Sequence, residues 1–127
     1  MPQFALAERR SKPRYPTDGL LVSVRRKGRL GLLEGLAQDF NRHGLALLID
    51  QPLRKDTKLY VSLISGDMKV DNVIGIVHNC IALTDGYRCG IQFRTNSELQ
   101  LDKEMTAHAL VILEARFKTW GQSKGSE

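Results

Sequence analysis

The sequence predicts an all-β domain with an appended helix: five or six short antiparallel strands, which read as a β-barrel or a sandwich, followed by one C-terminal α-helix. Two observations predict it. Between Gly19 and Phe93, apolar and polar residues alternate in short runs broken by turn residues, which is the period of strands. After Arg94 the apolar spacing lengthens to three and four residues, the period of a helix. A chain of 127 residues makes one domain, large enough to bury a core without metal or disulfide support. The expected division is a flexible basic arm over residues 1–18, the barrel over 19–95, the helix over 96–121 and a tail over 122–127.

The arm holds Pro2, Pro13 and Pro16 and no sustained apolar period; proline fixes φ and argues against a helix there. Leu20, Val22 and Val24 form the first alternating face, and Lys27-Gly28-Arg29 turns the chain. Leu30, Leu32 and Leu36 continue on one parity, followed by a polar connection from Gln38 to Gly44. Leu45, Leu47 and Ile49 give the next face, and Leu59, Val61 and Leu63 another after the link from Gln51 to Asp56. Ser65-Gly66-Asp67 is a turn. Val70 to Leu83 is a long strand whose Gly75 predicts a bulge or bend. Asp85-Gly86 is a hairpin signal leading into Tyr87, Cys89, Ile91 and Phe93. Thr95-Asn96-Ser97 before Glu98 predicts a helix cap. Leu101, Met105, Ala109, Ile112 and Leu113 form the stripe expected to pack on the barrel, with Phe117 and Trp120 near its end and Gly121 as its stop.

Charge is unevenly placed. The first thirty residues carry eight basic side chains against Glu8 and Asp18, a balance of +6 in a chain of net charge +5. A concentrated basic segment beside a nearly neutral body points to an anionic partner. No apolar run approaches the roughly 18 residues of a membrane span, and the first seven residues are too short for a signal-peptide core; a cytoplasmic location is expected. Cys80 and Cys89 are expected as reduced, half-buried thiols, with a strand-bridging disulfide open only if the register sets them side by side. His43, His78 and His108 lack metal-ligand spacing, and no nucleophile elbow, Walker loop or dinucleotide fingerprint occurs. No residue argues for catalysis, for a metal or for a bound cofactor.

Two segments carry binding chemistry: Glu8-Arg9-Arg10-Ser11-Lys12-Pro13-Arg14 and Asp39-Phe40-Asn41-Arg42-His43-Gly44. Arginine offers a planar fork of donors that grips phosphate oxygens two at a time and matches the O6 and N7 acceptors of guanine. A carboxylate has two acceptors that match guanine's N1–H and N2–H. Asparagine can reach a base or a phosphate, and glycine permits positive φ or a close backbone approach. Each segment alone is common, the first in solvated tails and the second in turns. In a meander, the arm before the first strand and the turn after the second fall at one end of the barrel.

Together, Arg10-x-x-x-Arg14 and Asp39-x-Asn41-x-x-Gly44 make the chain resemble the PilZ domain family, whose pattern is Arg-x-x-x-Arg followed by [Asp/Asn]-x-Ser-x-x-Gly. Gly90-Ile91-Gln92-Phe93 is similar to that family's Gly-x-x-Phe ending. The resemblance implies a six-stranded barrel with a C-terminal helix that binds the bacterial second messenger cyclic di-GMP. It implies that Arg10 and Arg14 hold phosphates and guanines with Arg9 assisting. Asp39 would read a guanine edge, and Gly44 would shape the turn. Asn41 stands where the family has serine. The expected activity is that of a receptor that changes conformation on binding and signals to a partner protein, acting as a monomer or weak dimer. Two other readings remain: a nucleic-acid-binding barrel using Arg25-Arg26-Lys27-Gly28-Arg29, which the 6% aromatic content disfavours, and an interaction module of this fold that binds no nucleotide.

Overall fold

The computed structural model describes residues 15–16 and 19–125. The expected arm therefore lies outside the described residues except at its last two-residue strand. The elements are β1 (Tyr15–Pro16), β2 (Leu21–Arg26), β3 (Leu33–Asn41), β4 (Gly44–Ile49), β5 (Lys58–Ser65), β6 (Met68–Leu83), β7 (Gly86–Phe93) and α1 (Lys103–Gly125). Six strands run in the spatial order β3-β2-β5-β6-β7-β4, and β4 pairs back onto β3. Every pairing is antiparallel, so the sheet closes as the expected barrel and leaves no long edge open. β1 and β2 lie end to end along the same edge of β3: Pro16 sits opposite Asp39, and Leu21 sits opposite Leu36.

The alternating faces read from sequence fill the barrel. Val22, Val24, Leu45, Leu47, Val61 and Ile91 are all buried. The parity differs in the second strand. Leu30 and Leu32 are exposed and precede β3, because Gly28 and Gly31 take positive φ (79° and 99°) and loop the chain outward. Leu36 is outward and half exposed, while the inner face is Leu33, Gly35 and Ala37. The expected polar connection from Gln38 is strand as far as Asn41, with a tight turn at Arg42-His43.

Gly75 does not bulge β6. The register shifts lie at Asn72, which has φ of 54°, and around His78. Gly75 instead faces inward, where a Cβ would stand 3.0 Å from Ile91 Cγ2 and 3.3 Å from Val61 Cγ2; its missing side chain is space those two fill.

The helix begins later than its expected cap. Ser97 Oγ accepts the Leu99 N–H within a turn, and Gln100 is pulled into the body. Its Oε1 accepts the Ile74 N–H at 2.7 Å, and its Nε2 donates to the Asn72 carbonyl at 2.9 Å. These bonds delay the first helical hydrogen bond, Thr106 N–H to Asp102 O. The late start also sets the phase. Thr106, Leu110, Leu113 and Phe117 are buried, whereas Leu101, Met105 and Ile112 are exposed; of the expected stripe, Leu113 and the Phe117 near its end pack into the core, and Ala109 does so in part. Phe117 meets Phe40 edge-on at 5.8 Å, and Phe40 meets Phe93 at 6.0 Å, so one aromatic chain joins helix and barrel into a single core. Gly121 does not stop the helix, which runs on to Gly125.

Cys80 and Cys89 are direct partners across β6 and β7, with sulfurs 3.0 Å apart, and both are free thiols. Cys89 is fully buried rather than half-buried. Burial, then the bond and charge of Cys80, push the Cys89 thiol from its ordinary 9.0 up to about 12. Below pH 9 the thiol is protonated in both folded and unfolded chains. Above it only the unfolded chain ionises, so stability falls as pH climbs from 9 toward 12. Urea unfolding should therefore lose stability across that window more steeply in the natural chain than in Cys89→Ala. Parallel slopes would contradict this account.

Candidate functional site

Strict alternation along β3 would put Leu33, Gly35, Ala37 and Asp39 on one inward face. The register breaks between Ala37 and Asp39: Ala37 pairs with Leu47, but Asp39 pairs with Ala46 and Phe40 with Leu45. This one-residue bulge at Gln38 returns Phe40 to the core, where it is fully buried. It also places two consecutive polar side chains, Gln38 and Asp39, on the outside.

Asp39 is held there. Its Oδ1 accepts the Ala46 N–H at 3.2 Å, and its Oδ2 lies 3.6 Å from Arg88 Nη2. Arg88 reaches over from β7, donating Nε–H to Gln38 Oε1 at 2.6 Å. Two residues on, Asn41 is buried, and its Oδ1 accepts the His43 N–H at 2.7 Å, an Asx turn that folds the chain at Arg42-His43. Gly44 has no positive φ. A Cβ there would sit 2.3 Å from the Ile91 carbonyl oxygen, so the close approach this glycine permits is to β7.

The turn is clamped to the helix. Glu114 Oε2 accepts the Arg42 backbone N–H at 2.8 Å, and Oε1 accepts Nε–H at 3.1 Å and Nη2–H at 2.9 Å from the same guanidinium. Burial on its own raises the Glu114 carboxyl, but the Arg42 hydrogen bonds and charge, with His43 behind them, outweigh it and hold the group below its ordinary 4.5.

Asp39, Asn41 and Gly44 thus share one hairpin, as the sequence implied. Arg9, Arg10 and Arg14 lie outside the described residues, but Tyr15, the residue after Arg14, pairs with Phe40 and Pro16 pairs with Asp39. Sequence reasoning missed Arg88, Gln38 and Glu114. Nothing in the chain order signals the β4–β7 pairing that closes the barrel, and a helix carboxylate 72 positions from Arg42 carries no local mark. Two surface clefts lie elsewhere, one of about 620 Å³ beside Gln100–Met105 and one of about 320 Å³ between Lys58, Ile76 and Arg94. Neither includes the bulged hairpin. Among the described residues, no cluster of His, Cys, Asp or Glu could hold a metal ion, and no helix is long and apolar enough to cross a membrane.

Comparison with known proteins agrees with the fold. A family model described as "PilZ domain" matches residues 8–110. No curated protein matches the chain. Among solved structures, the PilZ domain of YcgR from Escherichia coli, determined with c-di-GMP, is similar at 12% identity over 94% of this chain and 98% of that one, with a TM-score of 0.69. The PilZ domain of CeSA from a cellulose-synthesizing bacterium is 14% identical over 84% of this chain and 99% of that one, with a TM-score of 0.63. MrkH of K. pneumonia is 19% identical over 91% of this chain and 53% of that longer one, with a TM-score of 0.66. At these identities the structures speak to the fold.

Two outcomes follow. Serine can accept the same i+2 N–H that Asn41 accepts, so Asn41→Ser should leave the melting temperature within a few degrees; a collapse of the fold would show that Asn41 does more than build the turn. Glu114→Gln should cost about 1 kcal/mol at neutral pH, no more, because Arg42 is 46% exposed. Glu114 sits below its unfolded pKa, so its contribution is complete above pH 4.5 and fades as pH falls through the folded value. Urea unfolding of the two proteins should converge in acid, and a constant gap would contradict the pairing.

Proposed function

The chain belongs to the PilZ domain family, and from that premise we propose that it is a receptor for cyclic di-GMP that works by binding and not by catalysis. The observation that carries the reading is the β1–β3 register. Pairing of Tyr15 with Phe40 and Pro16 with Asp39 brings the chain that follows Arg14 alongside the strand that displays Asp39. This supports a reading in which the cationic leader and the outward carboxylate serve one guanine dinucleotide, which needs both. The similar E. coli domain was solved with this ligand.

In this reading Arg10 and Arg14, with Arg9 beside them, grip phosphates and guanine Hoogsteen edges through their donor forks. Asp39 accepts N1–H and N2–H from a guanine. Asn41 and Gly44 hold the hairpin that presents it. The bulged hairpin forms one wall of the site and the leader forms the other, which is why no closed cavity is needed on the barrel alone. Ligand binding at the hairpin changes the surface beside α1, because the Arg42–Glu114 clamp ties the same hairpin to the helix. A partner protein in the cytoplasm reads that change, and the receptor itself acts as a monomer or weak dimer.

Calorimetric titration should give saturable binding of cyclic di-GMP and none of GMP or cyclic di-AMP. Each of Arg10→Ala, Arg14→Ala and Asp39→Ala removes a charge-assisted hydrogen bond and should weaken binding by about 10- to 100-fold. Undiminished affinity in all three variants would contradict the assignment.

A further inference from the structure

Arg88 belongs to no motif, yet it is the cation that meets Asp39 from the barrel's own wall. Its position follows from the register. On the outer face, Asp39 is opposite Ala46, which is opposite Gly90; one step along, Leu36 is opposite Leu48, which is opposite Arg88. Arg88 must therefore cross β4 diagonally to reach β3. Long side chains span such diagonals, and the small outward Ala46 leaves the way open.

The crossing ends on both side chains that the bulge turns outward. Nε–H is fixed on Gln38 Oε1 at 2.6 Å, which orients the guanidinium plane, and Nη2 then stands 3.6 Å from Asp39 Oδ2. The second distance is an ionic contact and not a hydrogen bond. It steers the carboxylate by charge. The pair is largely sheltered, with side chains 23% and 15% exposed, so the attraction is screened less than that of a surface pair. Ala46 N–H holds Oδ1 from the other side. Asp39 is thus oriented through both oxygens before any ligand arrives.

We propose that Arg88 is a positioning residue for guanine selectivity: anchored by Gln38, it orients the Asp39 carboxylate so that both its oxygens meet the N1–H and N2–H of one guanine. The inference rests on the cyclic di-GMP reading of the same site. It assigns discrimination at the 2-amino group to a residue on β7, outside both sequence motifs.

The test uses the full chain and two dinucleotides, cyclic di-GMP and cyclic di-IMP, whose hypoxanthine lacks the 2-amino group. The natural protein should prefer cyclic di-GMP. Arg88→Ala should lose about tenfold in affinity for cyclic di-GMP and much less for cyclic di-IMP, so that the preference collapses. Gln38→Ala should erode the preference in the same direction. Arg88→Lys keeps the charge without the fork and should fall between. Far-UV circular dichroism and melting establish that the variants are folded, and a poorly folded Arg88→Ala leaves Arg88→Lys and Gln38→Ala to decide. Unchanged binding of both ligands, or equal weakening of both, would overturn the proposal, since a merely structural arginine moves both together. If the natural chain binds neither dinucleotide, the receptor reading itself fails, and this inference with it. Normal binding with an unchanged preference in the variants sinks this inference alone.

Discussion

One extra residue in β3 governs the outer surface of this barrel. Without the bulge at Gln38, period-two alternation would send Asp39 into the core and Phe40 into solvent. Burying an unpaired carboxylate costs several kcal/mol, and losing Phe40 would break the aromatic chain to Phe117 and Phe93. The bulge satisfies both faces at once. It seats Phe40 between barrel and helix and turns Gln38 and Asp39 outward as neighbours. What lies around Asp39, from Arg88 to the Ala46 amide, is arranged on that displacement.

The same strand links the motif hairpin to the helix. Phe40 packs against Phe117 from inside, and Arg42, two residues later, is clamped to Glu114 from outside. The hairpin that carries the motif residues is therefore held to α1 at two points, the buried Phe40 and the turn at Arg42. A ligand that shifts this hairpin does work on the helix through both. In the proposed reading, that is the physical content of calling such a domain an adaptor: the recognition surface and a surface for output would share one short segment.

The sequence made the strands legible where alternation was clean, as in Leu45-Leu47-Ile49, Leu59-Val61-Leu63 and Cys89-Ile91-Phe93. It misled where one residue changed the phase. The bulge at Gln38 hides inside a polar run that reads as a loop, because Gln, Asp and Asn favour turns on their own. Gly75 reads as a bulge because the sequence does not say that Ile91 and Val61 occupy its missing side chain. The helix stripe was displaced because Leu101 and Met105 have the right spacing, while the phase is set by a buried Gln100 bonded to β6. The motif residues of the hairpin were legible because they are close in sequence. Arg88 and Glu114 were not, because only barrel closure and helix docking bring them near.

The most direct test follows backbone amide signals of the ¹⁵N-labelled chain during titration with cyclic di-GMP. The account predicts that residues 8–14 and 38–44 shift together with one saturation curve, while the distant β2–β3 tip at Arg26–Arg29 stays still. Shifts concentrated at that tip, with the bulged hairpin silent, would contradict it.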